Sequence, residues 1–120
     1  MAGTLVANTI NTDTGLFSTN NAYKGIAKAW VNFSSTPSST SIRASLNVSS
    51  VTYSSVGQFT VNFATAMVDA NYCMAGSTSG NGDGYILSGA SYTTTSCIVW
   101  SRTSATFIDA TYQTVMFVGN

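Results

Sequence analysis

The sequence predicts an all-β protein, an antiparallel β-sandwich of about eight short strands that follows an extended N-terminal arm. Three observations predict it. Apolar and polar residues alternate with a period of two in one short run after another, as on a pleated strand with one buried face. Turn-forming Gly, Pro, Asn and Ser separate these runs every ~8 to 12 residues, the spacing of sandwiches and barrels. The composition is rich in Thr, Ser and aromatics, and only 7% of residues are charged, a mix that suits strands better than helices. No helical period of useful length and no internal repeat is present.

At 120 residues the chain is one domain with a modest core. Residues 1–24 are polar and turn-rich, with Leu5, Val6, Ile10, Leu16 and Phe17 scattered through them. Their spacing supports no helix, and such a segment cannot bury its few apolar groups alone. It is a flexible tail or an arm ordered against neighbouring copies, and the pair Leu16-Phe17 favours the second. Residues 25–120 form the body.

The body opens on Ile26–Phe33, the firmest strand signal. Ala27, Ala29, Val31 and Phe33 share one face, while Lys28 and Asn32 mark the other. Trp30 lies on that second, polar face, where a large aromatic needs cover from a sheet, another chain or a ligand. Residues 34–39 form a loop with the only proline, Pro37. Ile42, Ala44, Leu46 and Val48 alternate along the next strand, and Val51-Thr52-Tyr53 continues after a bend. Ser54–Gly57 is a hairpin turn with Gly where an unusual φ is needed. Phe59, Val61 and Phe63 alternate along a third strong strand. Residues 64–71 have room for one helical turn, and extended structure resumes at Tyr72–Ala75. Residues 77–84, with three glycines, read as the most flexible stretch. Tyr85–Ser88 is a short strand and 89–95 a second loop. Cys97–Trp100, an unbroken apolar run, reads as a buried strand. Ala105–Asp109 and Gln113–Val118 are the last two strands.

Catalysis starts from a deficit. The chain has no His and no Glu, so the usual general bases are missing. Ser and Cys nucleophiles lack their His. A glycosidase would need two carboxylates from Asp13, Asp69, Asp83 and Asp109, which lie in separate segments. No enzyme activity is expected. Asn81-Gly82-Asp83-Gly84 lacks the alternating oxygen ligands and final Glu of a calcium loop, so no metal is expected, and no cofactor motif is present. Cys73 and Cys97 allow one bridge, or stand as buried free thiols, the simpler reading for lone cysteines on two strands. Formal net charge is zero, which points away from nucleic acid and from anionic membranes. No run has the ~20 apolar residues of a membrane helix, and Met1–Thr4 lacks the start of a secretory signal. The chain is expected to be made in a cytoplasm. Asn32-Phe33-Ser34 and Asn47-Val48-Ser49 match the glycosylation pattern but are discounted for that reason.

Contact chemistry remains. Tyr85 and Tyr92 border the loops at 77–84 and 89–95, and with Asn81 and Asp83 they form the candidate glycan-binding set. A tyrosine in such a place serves equally well at a subunit interface. Phe107 and the other phenylalanines read as core. Arg43 and Arg102 face outward on strands, as interface anchors or solubilising charges. A surface this poor in charge suits a protein that works inside a larger assembly.

Lys28–Phe33, Ile42–Val51 and Gly57–Phe63 leading into Ala66-Met67 and Ala70-Asn71-Tyr72 occur in an order and spacing that resembles a domain at the C-termini of bacteriophage tail-fibre proteins, notably those of phages infecting cyanobacteria and other marine bacteria. Asn8–Asn11 is similar to the segment that precedes that domain. The likeness covers residues 8–75 closely and the last strands loosely. Val68 stands where the family pattern has proline, and the 120 residues include no long shaft. The resemblance implies a β-sandwich virion protein, a homotrimer joined to other virion proteins, at a place that meets host surface polysaccharide. It transfers no catalytic residue. The expected function is a fibre tip or receptor-binding domain; the alternative is a capsid decoration or cement protein, or a short head fibre, with no dedicated ligand. Leu5, Ile10, Leu16 and Phe17 of the arm are the expected subunit-interface residues. Trp30 joins them, because it sits where arm meets body and copies would converge.

Overall fold

The computed structural model describes residues 3–7, 9–12, 15–36, 38–79 and 85–119. The arm carries a hairpin, β1 (Thr9–Thr12) with β2 (Gly15–Ser18), and a short helix, α1 (Thr19–Gly25). The body follows as β3 (Ala27–Thr36), β4 (Ser39–Leu46), β5 (Val48–Ser55), β6 (Gln58–Phe63), β7 (Cys73–Ser79), β8 (Ile86–Tyr92), β9 (Ser96–Arg102) and β10 (Tyr112–Val118). Its eight strands form two four-stranded antiparallel sheets, β4-β3-β10-β7 and β5-β6-β9-β8. The sandwich expected from the alternating pattern is therefore the observed architecture.

Period-two alternation puts the core between the sheets. Ala29, Val31 and Phe33 of β3 and Val115 and Phe117 of β10 point inward from the first sheet. Phe59, Val61 and Phe63 of β6 and Cys97 and Val99 of β9 meet them from the second. Edge-to-face ring pairs join the layers, Phe33 with Phe59 at 5.3 Å and Phe63 with Phe117 at 5.1 Å. Each such side chain contributes about 1.5–3 kcal/mol by leaving water. The four strands with the most regular patterns are the inner pairs of the two sheets, as their two-sided contact requires.

A polar cluster sits inside one end. Gln113 is fully buried and donates from Nε2 to Ser35 Oγ at 2.9 Å, and Ser35 donates to the Ala110 carbonyl at 2.7 Å. At the same end the β5–β6 turn is held from outside by Asp109. Its carboxylate accepts from Gly57 N at 2.8 Å and from the Tyr53 hydroxyl at 3.0 Å. Burial, then the bond to Asp109, pushes the Tyr53 phenol above its ordinary range.

Several local expectations are corrected. The spacing of the arm supports no helix, yet Thr19–Gly25 is helical, with Lys24 in its last turn, where a cation suits the helix dipole. No helical turn forms over 64–71. That segment caps the core instead, burying Met67 and Tyr72. Ala105–Asp109 is not a strand; Phe107 makes a single bridge to Arg102 and, at 36% exposure, lies outside the core, edge-on to Trp100. The alternation in Ile42, Ala44 and Leu46 does not mark a buried face. β4 is an edge strand with these residues exposed, and a bulge between Asn32 and Phe33 of β3 shifts the pairing. Cys73 is exposed, Cys97 is buried, and both are free thiols.

Candidate functional site

Strand directions sort the connections between the two ends of the sandwich. The arm enters at the start of β3. The β4–β5 corner, the 64–72 segment and the 93–95 turn lie at that same end. The β3–β4 and β5–β6 hairpins, the facing ends of β7 and β8, and the 103–111 segment lie at the other.

This layout separates the expected glycan-binding residues. Tyr85 precedes β8 and Tyr92 ends it, so seven residues of strand hold them roughly 20 Å apart, at opposite ends of the body. Tyr92 leans on Tyr72 with ring centroids 5.3 Å apart and lies across Gly89, where any β-carbon would meet its hydroxyl. The Tyr72 hydroxyl in turn donates towards the Thr93 and Ser96 carbonyls at 2.9 and 3.1 Å. The Tyr92 ring thus leans on the arm-side end of the body while staying 38% exposed. Asn81 and Asp83 lie outside the described residues.

The expected interface residues fare differently. Leu5 is 81% exposed and its neighbour Val6 89%. Ile10 lies in β1, and Leu16 and Phe17 in β2; their side chains lie outside the described residues. Tyr23 and Ile26, at the end of the arm, are exposed as well. Lys28 ties the arm to the body by donating to the Tyr23 carbonyl and covering the Tyr23 ring. Trp30 is on the outer face of the first sheet, as the polar flanks Lys28 and Asn32 predict, and is 37% exposed.

Trp30 does not stand alone there. Register places Leu46 on one side of it and Met116 on the other, with Ala75 beyond Met116. These side chains form an apolar row across all four strands. The next outward row is short and polar: Ala44, Asn32, Thr114 and Ser77. Beyond it Tyr112 rises with the Arg43 guanidinium 4.5 Å above its ring. The short row between taller ones leaves a groove of about 380 Å³, lined by Trp30 and Met116 along one wall and by Asn32, Thr114 and Ser77 on its floor. Ser77 Oγ and Thr114 Oγ1 share a hydrogen bond of 2.8 Å, whereas Asn32 Oδ1, itself buried, has no partner among the described residues.

The groove therefore offers an aromatic face, hydroxyls and a side-chain amide, with no formal charge in its lining. That set can hold a neutral ligand by stacking and hydrogen bonding. Asn32, Ser77, Thr114 and Met116 were not singled out from sequence as site residues. The available signal was the pair Trp30 and Asn32 on one face of a strand; their partners come from β7 and β10, more than forty residues downstream.

The two described carboxylates hold local structure. Asp109 is engaged by Gly57 and Tyr53, and Asp69 Oδ1 accepts from Asn71 N at 2.7 Å. Among the described residues no three His, Cys, Asp or Glu side chains gather as a metal site, and no helix is long and apolar enough to cross a membrane. No known protein family, curated protein or solved structure matches the chain.

Proposed function

We propose that the chain is a structural subunit of a bacteriophage particle, the terminal β-sandwich of a fibre that meets host surface polysaccharide as a homotrimer. The observation that carries this reading is the axial layout. An arm with outward apolar residues joins the sandwich at one end, and the β3–β4 and β5–β6 hairpins lie at the other. A terminal module needs that arrangement: one end to assemble, one to present. The segments that resemble the tail-fibre domain support it by supplying β3, β4, β5 and β6, the framework rather than a reactive site.

The exposed Leu5 and Val6 also suit a capsid decoration protein whose arm grips a shell. Copy number in purified virions separates the two. A fibre tip is present in tens of copies and blocks phage adsorption when added as free protein. Hundreds of copies per particle, with no competition for adsorption, would replace the fibre reading with the decoration one.

A further inference from the structure

We infer that the groove on the outer face of the β4-β3-β10-β7 sheet is a binding site for a neutral saccharide, with Trp30 as the stacking platform. This rests on the polysaccharide-binding reading above and moves its site from the tyrosines beside the loops to the sheet face.

The lining chemistry selects the ligand class. The C–H face of a pyranose ring lies flat against an indole, while its rim of hydroxyls both donates and accepts. The groove matches both requirements. Trp30 and Met116 form an apolar wall, and Asn32, Thr114 and Ser77 offer an amide and two hydroxyls along the floor. Asn32 Oδ1 is buried beneath the groove and has no partner among the described residues; a turn of the amide about χ2 brings it to the floor, where a sugar hydroxyl can donate to it. An apolar side chain from another protein would cover Trp30 but give the Asn32 amide and the two hydroxyls of the floor no partner. Charge excludes the alternatives of an anionic or cationic ligand. The nearest cations on this face, Lys28 and Arg43, are turned to Tyr23 and Tyr112. The volume, about 380 Å³, is at the small end of ligand sites, the scale of a mono- or disaccharide. Ala75 and Ser77 lie on the edge strand β7, so the groove runs out over an open side of the sheet and a longer polymer can pass through it.

The test uses the full chain in a Trp100→Phe background, so that tryptophan emission reports Trp30 alone. Glucose, galactose, maltose, lactose and the purified host polysaccharide are titrated separately. At least one is expected to shift the emission saturably. Trp30→Ala should weaken binding about tenfold or more, the scale of one lost aromatic contact with its buried area, when binding is read by NMR of the sugar. Thr114→Lys, which fills the floor, should abolish binding without removing the tryptophan. Both variants should keep the oligomeric state of the parent. No shift with any of the five probes, undiminished binding by either variant, or a change of oligomeric state in Trp30→Ala would overturn the proposal. The last outcome would make this face a contact between copies. Failure of the wider reading looks different. If sugars bind at Trp30 but the protein does not compete for phage adsorption, the groove stands and the fibre-tip function falls. If wild type and Trp30→Ala compete equally well, the function stands and the groove falls.

Discussion

Asn47 and Thr65 exchange two hydrogen bonds across 18 residues of chain. Thr65 N donates to Asn47 Oδ1 at 2.7 Å, and Asn47 Nδ2 donates to the Thr65 carbonyl at 3.1 Å. The same Nδ2 donates to the Lys28 carbonyl at 3.1 Å, and the Asn47 carbonyl accepts from Ala64 N. One side chain thus ties together the start of β3, the corner where the chain leaves one sheet for the other, and the segment after β6. The residue sits at φ 53°, in the left-handed region that Asn tolerates better than other side-chain-bearing residues.

Two substitutions at this corner should separate the backbone contribution from the side-chain one. Asn47→Gly keeps the φ and loses the amide bonds, at a cost of about 1–2 kcal/mol for bonds that are partly exposed. Asn47→Ala loses them and is also strained, adding about 1 kcal/mol. Urea unfolding of both variants checks the order. Equal stability of Ala and Gly would mean that φ carries none of the effect. The same bonds engage the Asn47 amide, which removes it as a glycosylation acceptor in the folded chain.

The opposite end turns on Gly57. At φ 65° it is left-handed, and a β-carbon would lie 2.3 Å from the Ser101 carbonyl oxygen and 2.6 Å from Ile108 N. Gly57→Ala is therefore expected to cost about 2–4 kcal/mol, combining left-handed strain with overpacking. Asp109→Ala should cost about 2 kcal/mol, since it leaves Gly57 N and the Tyr53 hydroxyl without their charged acceptor. Asp109→Asn should cost less than half as much, because the amide oxygen still serves Gly57 and the phenol can turn to accept. Thermal unfolding followed by circular dichroism ranks the three.

How far these features were legible in the sequence follows from their range. The core strands β3, β6, β9 and β10 were legible because each repeats its inward residues every second position, a local signal. The Gly57 turn was legible for the same reason. β4 misled because the alternation Ile42, Ala44, Leu46 reads the same whether those residues are buried or exposed; only the strand's place at a sheet edge and the bulge that pairs Ile42 with Phe33 decide. Asn47 read as one polar residue in a strand because its partners, Lys28 and Thr65, are distant in sequence. The groove was half legible. Trp30 beside Asn32 announced an outward aromatic face, but Thr114 and Ser77 reach it only through the pairing of β3, β10 and β7. Tyr85 and Tyr92, close in sequence and each beside a loop, were separated by the strand between them.

The two thiols should respond in opposite ways. Cys73 is exposed and is expected to react with a disulfide reagent in the native protein; Cys97, buried against Tyr72 and Tyr92, should react only on unfolding. Burial pushes the Cys97 thiol up from 9.0 to about 11, against a hydrogen bond with Tyr72 that lowers it. The folded chain then holds a proton that the unfolded chain has released. Its contribution to stability is complete below pH 9 and declines as pH rises towards 11, by on the order of 2–3 kcal/mol in all. Cys97→Ala should flatten the fall of stability with pH in that window, whatever the cost of its smaller side chain. The Tyr72 and Tyr92 phenols, also raised by burial, keep a residual slope above pH 10. Urea midpoints from pH 8 to 11 test this, and an unchanged slope in Cys97→Ala would assign the whole effect to the tyrosines.

The arm should be dispensable for folding and required for assembly. Its described apolar residues Leu5 and Val6 are exposed, and its link to the body runs through Tyr23 and Lys28. Deleting residues 1–22 preserves that link and both sheets, so the melting temperature of the sandwich should move by no more than about 3 °C, less than one kcal/mol would produce in a domain of this size. Light scattering should report the proposed trimer for the parent and a monomer for the deletion. A melting temperature that drops by ten degrees or more would mean that the arm completes the fold of its own subunit. An oligomer that survives the deletion would place the contacts between copies on the body, and the exposed row Leu46, Trp30 and Met116 would be the first surface to mutate.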